Sequence, residues 1–108
     1  METKVVVYNA EKQTLEDAVI TNYKDYYKHL DCEHFDVVNL GRKVSIYIDD
    51  DGLYVSPLYL TLVMGLEQPL AGNLVFTGGV DKNGNTLSCP LTKRQIQNSI
   101  LATFLHEQ

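Results

Sequence analysis

FDVVNLGRKVSIYIDDDG, residues 35–52, is the stretch on which the predicted fold depends. It contains two segments with strand composition, Phe35–Leu40 and Val44–Ile48, and the second alternates apolar residues with other types. A Gly-Arg-Lys connection joins them, and Gly41 can adopt the positive φ angle that a tight reversal requires. The aspartates and glycine of Asp49–Gly52 form a strong turn signal after the second strand. We therefore predict a β-hairpin at the centre of a small sheet.

Length, composition and charge limit the class of protein. The chain has 108 residues, 44% of them hydrophobic, which suits a single domain over residues 1–108 with one core. No apolar run approaches the roughly 20 residues of a transmembrane helix, and METKVVVYN lacks the apolar stretch of a secretory signal, so we expect a cytoplasmic protein with no membrane partner. Cys32 and Cys89 are too few for a disulfide scaffold and are expected to be separate reduced thiols. The net charge of −5 argues against direct binding of nucleic acid and is compatible with attraction to a basic protein surface.

The flanking segments predict further strands and two helices. Thr3–Tyr8 and Asn73–Thr77 have strand composition, and Asn-Gly at positions 83–84 predicts a hairpin turn that brings Thr86–Ser88 back onto the preceding strand. Asn22–Leu30 carries three tyrosines and a leucine at helical spacing, which predicts a helix with that stripe in the core. Thr-x-x-Gln at positions 92–95 is a capping box, and it begins a predicted helix with an apolar face from Ile96 to Leu105, including Phe104.

Two segments allow more than one interpretation. Leu15–Ile20 fits a helix opened by Thr14 and Asp17, or a second strand, and its strand-forming residues favour the strand. Leu53–Met64 is the most hydrophobic segment, and Pro57 argues against a continuous helix or a central strand through it. We predict a short helix over residues 58–64, in the core or at an interface. The expected fold is a single α+β domain: an antiparallel-rich sheet of four to six strands, a helix after the first strands and a C-terminal amphipathic helix.

Residues with potential for chemistry do not form a recognised motif. Three consecutive aspartates lack the alternating spacing of a calcium loop. His29, Cys32 and His34 lie within six residues, but a structural zinc site needs four ligands. Neither a nucleophile signature nor a phosphate-binding loop is present. We therefore expect a protein that is not an enzyme and holds no metal or other cofactor. The alternative is a small metal- or nucleic-acid-binding accessory module, in the latter case through residues Arg42, Lys43, Lys93 and Arg94.

Five short motifs distributed over the chain resemble a known family. They are KVVVY at 4–8, FDVVNL at 35–40, DDG at 50–52, PLAGNLVFTG at 69–78 and LTxxQI at 91–96. Together they resemble the domain of unknown function 3846, a family found in phages, plasmids and other mobile elements. The sequence departs from that family at Leu53–Met64, which is more hydrophobic than the polar, proline-containing loop usual in the family at this place. The resemblance implies a compact α+β fold and a mobile-element origin, and it supplies no catalytic residues.

A small acidic protein of this origin is similar in kind to the inhibitors that phages use against bacterial defence, among them anti-CRISPR proteins. That similarity implies a protein partner in the host bacterial cytoplasm, such as a CRISPR nuclease or another nucleic-acid-binding effector. Acidic side chains can contact the Arg and Lys residues that normally hold phosphate, while tyrosines supply contact area. The predicted contact residues are Asp49, Asp50 and Asp51, in a turn expected to project at a hairpin tip, together with Tyr54 and Tyr59.

Overall fold

The structure, a computed structural model, describes residues 2–41 and 43–106. Within this part of the chain, eight strands in antiparallel sheets and two short α-helices that do not alternate with them confirm the α+β class. The elements are β1 Thr3–Asn9, β2 Thr14–Ile20, α1 Lys24–Leu30, β3 Phe35–Asn39, β4 Ser45–Asp49, a 3-10 turn Gly52–Tyr54, β5 Leu58–Val63, β6 Leu70–Ala71, β7 Leu74–Thr77, α2 Lys93–Ser99 and β8 Ile100–His106.

The strands form two antiparallel sheets. The larger has the order β2-β1-β7-β4-β3, and the smaller has the order β6-β5-β8. β7 is the middle strand of the larger sheet, with Phe76 opposite Val6 of β1 on one side and opposite Ile46 of β4 on the other. All four residues of β7 are buried. The five strands of this sheet confirm the expected number and the antiparallel arrangement.

The predicted hairpin exists, but its predicted position is wrong. β3 pairs with β4 in the expected antiparallel register, with Val37 opposite Tyr47. β3 is nevertheless an edge strand, and β7 occupies the centre of the sheet. The physical reason is burial: both faces of β7 are covered, whereas β3 carries the exposed polar residues Asp36 and Asn39. A strand covered on both faces shows an uninterrupted apolar run and not an alternation.

Layers on the two faces of the larger sheet produce two cores. On one face, α1 packs its buried Tyr26 and Leu30 against Val5, Tyr47 and Val75. On the other face, the smaller sheet and α2 cover the cluster built around Ile46 and Phe76, to which they contribute Val63, Leu70 and Ile96. Because successive side chains of a strand point to opposite faces, β7 supplies Val75 to the first core and Phe76 to the second.

The tyrosine stripe of α1 is only partly a core face. Tyr26 is buried and stacks on Tyr47, with ring centroids 4.0 Å apart and planes at 8°. Burial raises the pKa of Tyr26, and the neighbouring Tyr47 raises it further. Tyr23, at the start of the stripe, lies on the surface. The prediction of a core face is therefore correct for Tyr26 and Leu30 and wrong for Tyr23.

The predicted helix over residues 58–64 is wrong, because this segment is strand β5. It pairs with β6 through Leu60 and Ala71 and with β8 through Leu60 and Phe104. Both faces of β5 are apolar: Tyr59 and Val63 face the main core, while Leu58 and Leu60 form a separate cluster with Ala71. An apolar run of this length fits a helix or a strand equally well, and the presence of β6 and β8 as pairing partners determines that it is a strand.

The C-terminal helix is confirmed at its start and wrong at its end. The Thr92 side chain accepts a hydrogen bond from the Gln95 N–H (3.1 Å), and the Gln95 side chain accepts one from the Thr92 N–H (2.9 Å), as a capping box requires. The helix stops at Ser99, and Ile100–His106 continues as β8. Thr103 of β8 lies between the Tyr8 hydroxyl (2.6 Å) and the Thr61 hydroxyl (3.0 Å), which fixes the strand against both sheets.

The remaining ambiguities are resolved. Leu15–Ile20 belongs to β2, which pairs with β1 along its whole length. The Asn-Gly segment reverses the chain as predicted, with the Asp81 N–H donating to the Asn85 carbonyl (2.9 Å), but the returning strand is reduced to a single bridge between Val80 and Thr86. No helix in the described residues is long and apolar enough to span a membrane.

Candidate functional site

The five predicted contact residues lie on one continuous segment, Asp49–Tyr59, which connects the two sheets. Asp49 ends β4 of the larger sheet, and Tyr59 is the second residue of β5 in the smaller one. The segment between them contains the 3-10 turn Gly52–Tyr54 and no other regular element. Its position at the junction of the sheets follows from the chain order and not from any property of the aspartates.

The acidic residues form a turn that is tied to the start of β3. The Asp50 N–H donates to the His34 carbonyl (2.9 Å), and His34 Nδ1 lies 3.1 Å from Asp51 Oδ2. The hydrogen bond with Asp51, and then its charge, raise the pKa of His34. Asp49 is half-buried and accepts a hydrogen bond from the Asp51 N–H (2.9 Å). The acidic turn therefore lies at the open end of the β3–β4 hairpin, and the prediction that it projects at the hairpin tip is wrong.

The residues after this turn expose three apolar side chains in succession. Leu53, Tyr54 and Val55 are 60%, 88% and 47% exposed. Their backbone is nevertheless fixed, because the Tyr54 N–H donates to the Asp51 carbonyl (3.0 Å) and the Val55 N–H to the Gly52 carbonyl (3.3 Å). We call Leu53–Val55 the exposed turn.

Gly52 anchors the exposed turn to the smaller sheet. It is buried, and a Cβ atom at this position would lie 3.1 Å from the Ala71 Cβ and 3.2 Å from the Ala71 carbonyl oxygen. A side chain here would require Ala71 to shift by a few tenths of an ångström, so glycine suits this close approach of the turn to β6. Asp50 and Asp51, which precede the turn, are also exposed, so residues 50–55 present two carboxylates and three apolar side chains to solvent.

Tyr59 shares a groove with Gly52 and with Val55 of the exposed turn. It is half-buried and packs against the main core. The groove has a volume of about 400 Å³, and its walls carry the carboxyl groups of Glu11, Asp31 and Asp49. Of the predicted residues, Asp50, Asp51 and Tyr54 are exposed within six positions of the chain, and Asp49 and Tyr59 line the groove.

The candidate metal ligands do not converge. No group of three His, Cys, Asp or Glu residues in the described ranges is arranged to hold a metal ion. Burial and the nearby Asp49 carboxylate raise the pKa of Cys32 to about 11, so its thiol is protonated at neutral pH. Cys89 is also a free thiol, and burial raises its pKa. A raised pKa lowers the fraction of thiolate, which is the form that acts as a nucleophile and as a metal ligand.

The basic residues considered for nucleic-acid binding are dispersed over the described surface. Lys93 lies at the start of α2, which packs against β2, and its Nζ is 3.5 Å from Asp17 Oδ2. Lys43 precedes β4 on the opposite side of the sheet. Arg42 lies outside the described residues.

Sequence reasoning missed Gly52 as an anchor and Leu53 and Val55 as surface residues. It treated Leu53–Met64 as one hydrophobic segment, whereas Pro57 separates an exposed part from a buried strand. The signal that could have located the exposed part is the position of Leu53–Val55 between two turn-forming groups, Asp49–Gly52 and Ser56–Pro57.

Comparison with known proteins gives one result. The family model described as Domain of unknown function (DUF3846) matches residues 2–105. No curated protein and no solved structure gives a significant match.

Proposed function

We propose that this chain, which belongs to the family of the domain of unknown function (DUF3846), is a non-enzymatic domain that binds a protein through the exposed turn and the acidic residues beside it. Membership confirms the resemblance seen in the sequence motifs. The observation that carries the proposal is the exposure of Tyr54, 88% accessible on a backbone held by two hydrogen bonds and a buried glycine.

The apolar part of this surface favours a protein partner. Single exposed apolar residues are common, whereas clusters of exposed apolar residues mark interaction sites, and Leu53, Tyr54 and Val55 are exposed in succession. Tyrosine is enriched at interfaces, where it provides a large contact area with few rotatable bonds. Because the backbone of the exposed turn is already ordered, binding costs little further conformational entropy.

The charged part of the surface indicates the chemistry of the partner. Asp50 and Asp51 flank the exposed turn, and the whole chain has a net charge of −5. Complementary charge speeds encounter and selects partners, so the matching surface is rich in Arg and Lys. Such surfaces are typical of proteins that hold phosphate groups. We therefore propose that the domain occupies the nucleic-acid-binding surface of a host protein, as an inhibitor of the anti-CRISPR kind would.

The alternative accessory module has less support. The raised pKa of Cys32 opposes metal binding, and the pairing of His34 with Asp51 engages a second candidate ligand. Lys93 is close to Asp17, and the negative net charge opposes approach to phosphates.

A pull-down with matched tyrosine variants tests the proposal. Tyr54→Ser removes the central side chain of the exposed turn, and Tyr23→Ser removes another exposed tyrosine, on α1, as the control. Each tagged protein is incubated with lysate of the bacterial host, and recovered proteins are identified and then purified for affinity measurement. We expect Tyr54→Ser to weaken binding about 30-fold, equivalent to roughly 2 kcal/mol, and Tyr23→Ser to leave it unchanged.

A double variant tests the contribution of charge to binding. Asp50→Asn with Asp51→Asn should reduce both the affinity and its dependence on salt, because screening acts on exposed charge pairs. Asp49 stays unchanged in this variant, since its hydrogen bond to the Asp51 N–H belongs to the fold of the turn. Recovery of the same partner at the same affinity with Tyr54→Ser contradicts the proposed surface.

A further inference from the structure

The edge strands of the two sheets differ in how they are protected. In the described residues the edges are β2 and β3 of the larger sheet and β6 and β8 of the smaller one. An edge strand presents unpaired N–H and C=O groups, and natural proteins guard such edges with charged residues or keep them short. β2 carries Glu16 and Asp17, β3 carries Asp36, and β6 has only two residues. Three of these edges therefore follow the rule.

β8 does not follow it. Its sequence, ILATFLH, contains no Asp, Glu, Lys or Arg over seven residues, and Leu101, Phe104 and Leu105 are all exposed. One side of β8 pairs with β5, and the other has no strand neighbour in the described part of the chain. A long, uncharged and apolar edge is suited to pairing with another strand.

We propose that β8 pairs with β8 of a second copy of this chain, joining two three-stranded sheets into one six-stranded sheet across a two-fold axis. Antiparallel pairing of a strand with itself satisfies such an axis, because wherever residue i meets residue j of the second copy, residue j also meets residue i of that copy. The stretch available for regular pairing is Ala102–His106. Val63 pairs with Ile100 and Leu62 with Ala102, so Leu101 between them is the extra residue of a β-bulge. Regular strand geometry therefore begins at Ala102.

The register centred on Phe104 completes an apolar row. Ala71, Leu60 and Phe104 are opposite one another across β6, β5 and β8, so their side chains share one face of the smaller sheet, its outer face, on which Leu60 and Ala71 are buried and Phe104 is 42% exposed. Pairing about Phe104 places it against the second Phe104 and extends the row through Leu60 and Ala71 of the second copy. Aromatic pairs across antiparallel strands stabilise a sheet beyond their buried area.

The charge of β8 does not oppose a second copy as the occupant of this edge. Two chains of net charge −5 repel each other wherever carboxylates meet, and β8 contributes none to the contact. A basic partner gains nothing from an uncharged strand, whereas it gains from the acidic turn. The proposed dimer contact uses β8, whereas the proposed partner surface uses the exposed turn, which approaches the same sheet at Ala71 of its opposite edge strand.

Sedimentation over a concentration series tests the proposal, with Phe104→Lys as the disrupting variant and Val37→Lys as its control. The two side chains have matched exposure, 42% and 40%, and both lie on edge strands. A five-residue strand pair is a small interface, so we expect dissociation at roughly 1–100 µM. Over this range the average mass of the wild type and of Val37→Lys should rise from that of a monomer to that of a dimer. The mass of Phe104→Lys, which places two cations opposite each other, should remain that of a monomer.

A wild type that keeps a single chain mass up to about 1 mM overturns the proposal, and leaves the edge to a strand of another protein. A dimer that persists in Phe104→Lys with unchanged circular dichroism also overturns it. If Phe104→Lys does not fold, hydrogen exchange of the wild type decides. Amides of Ala102–His106 that exchange more slowly at high than at low protein concentration support the pairing, and exchange independent of concentration overturns it.

Discussion

His34 connects the start of β3 to the acidic turn, and its protonation is coupled to the geometry of that turn. The imidazole Nδ1 lies 3.1 Å from Asp51 Oδ2, and both groups are exposed. The hydrogen bond and the charge of Asp51 raise the pKa of His34 above its ordinary value of about 6.5. A histidine with a raised folded-state pKa stabilises the fold below the unfolded pKa, and this contribution is lost as the pH rises through the folded pKa.

We predict that an NMR titration finds the His34 midpoint above about 6.5, and that Asp51→Asn lowers it. Asp50→Asn is the matched control, since Asp50 acts on His34 only as a more weakly contributing charge. It should move the midpoint much less than Asp51→Asn does. Equal effects of the two substitutions would show that general acidity, and not the hydrogen bond, raises the pKa.

At the scale of elements, the sequence correctly predicts the strands and helix ends that are specified by residues close together in the chain. The strand composition of β1, the alternation in β4 and the Thr92–Gln95 capping box depend on residues within one turn or one strand, and each element is present. The acidic turn and Tyr54 were identified in the same way, since turn residues and aromatics are visible without a fold. Gly52 was not identified as an anchor, because its contact with Ala71 joins positions 19 apart in the sequence.

The mispredicted elements depend on distant partners. Ile96, Ile100 and Phe104 are spaced four residues apart, which fits a helix, yet Phe104 pairs with Leu60 in the smaller sheet. β5 was predicted as a helix for the same reason, because its ladder with β8 joins residues more than 35 apart in the chain. Helical propensity over seven residues is weak compared with a ladder of strand hydrogen bonds and a buried apolar face.

α2 shows how little local stability such a short helix has, and this makes its cap important. The helix has seven residues, one of which, Ile96, is fully buried. We predict that Thr92→Ala lowers the free energy of unfolding by about 1 kcal/mol, because it leaves the Gln95 N–H without its acceptor. Urea denaturation measures the loss. Thr92→Ser keeps the hydroxyl and should retain most of the stability, and an unchanged midpoint in Thr92→Ala would contradict a stabilising role for the cap.

At the scale of the whole molecule, β7 joins parts that the chain order keeps separate. The β1–β2 and β3–β4 hairpins are local, and β7 enters the sheet between them from a position later in the chain. Its two faces reach both cores, with Val75 towards α1 and Phe76 towards the smaller sheet. The integrity of the domain therefore depends on four residues more than on the hairpin from which the fold was first predicted.

Substitutions of Phe76 and Phe104 test whether the stability of the domain depends on β7, because they remove the same side chain from a buried and from a partly exposed position. Phe76 is 0% exposed in the core between the sheets, and Phe104 lies on the outer face of the smaller sheet. We predict that Phe76→Ala costs about 3–5 kcal/mol, as for a fully buried ring, and that Phe104→Ala costs less than about 2 kcal/mol. Sequence periodicity had placed Phe104 in the core, which would have assigned it the larger loss.

Urea denaturation at low protein concentration measures both losses, since any association through β8 stabilises the folded state only when the chains are concentrated. Phe76→Leu accompanies Phe76→Ala in case the latter does not fold, and it should cost less because most of the volume is kept. A loss for Phe104→Ala equal to that for Phe76→Ala would contradict the placement of the core around β7. In that case residues of β8 would contribute to the fold of one chain as much as the central strand does.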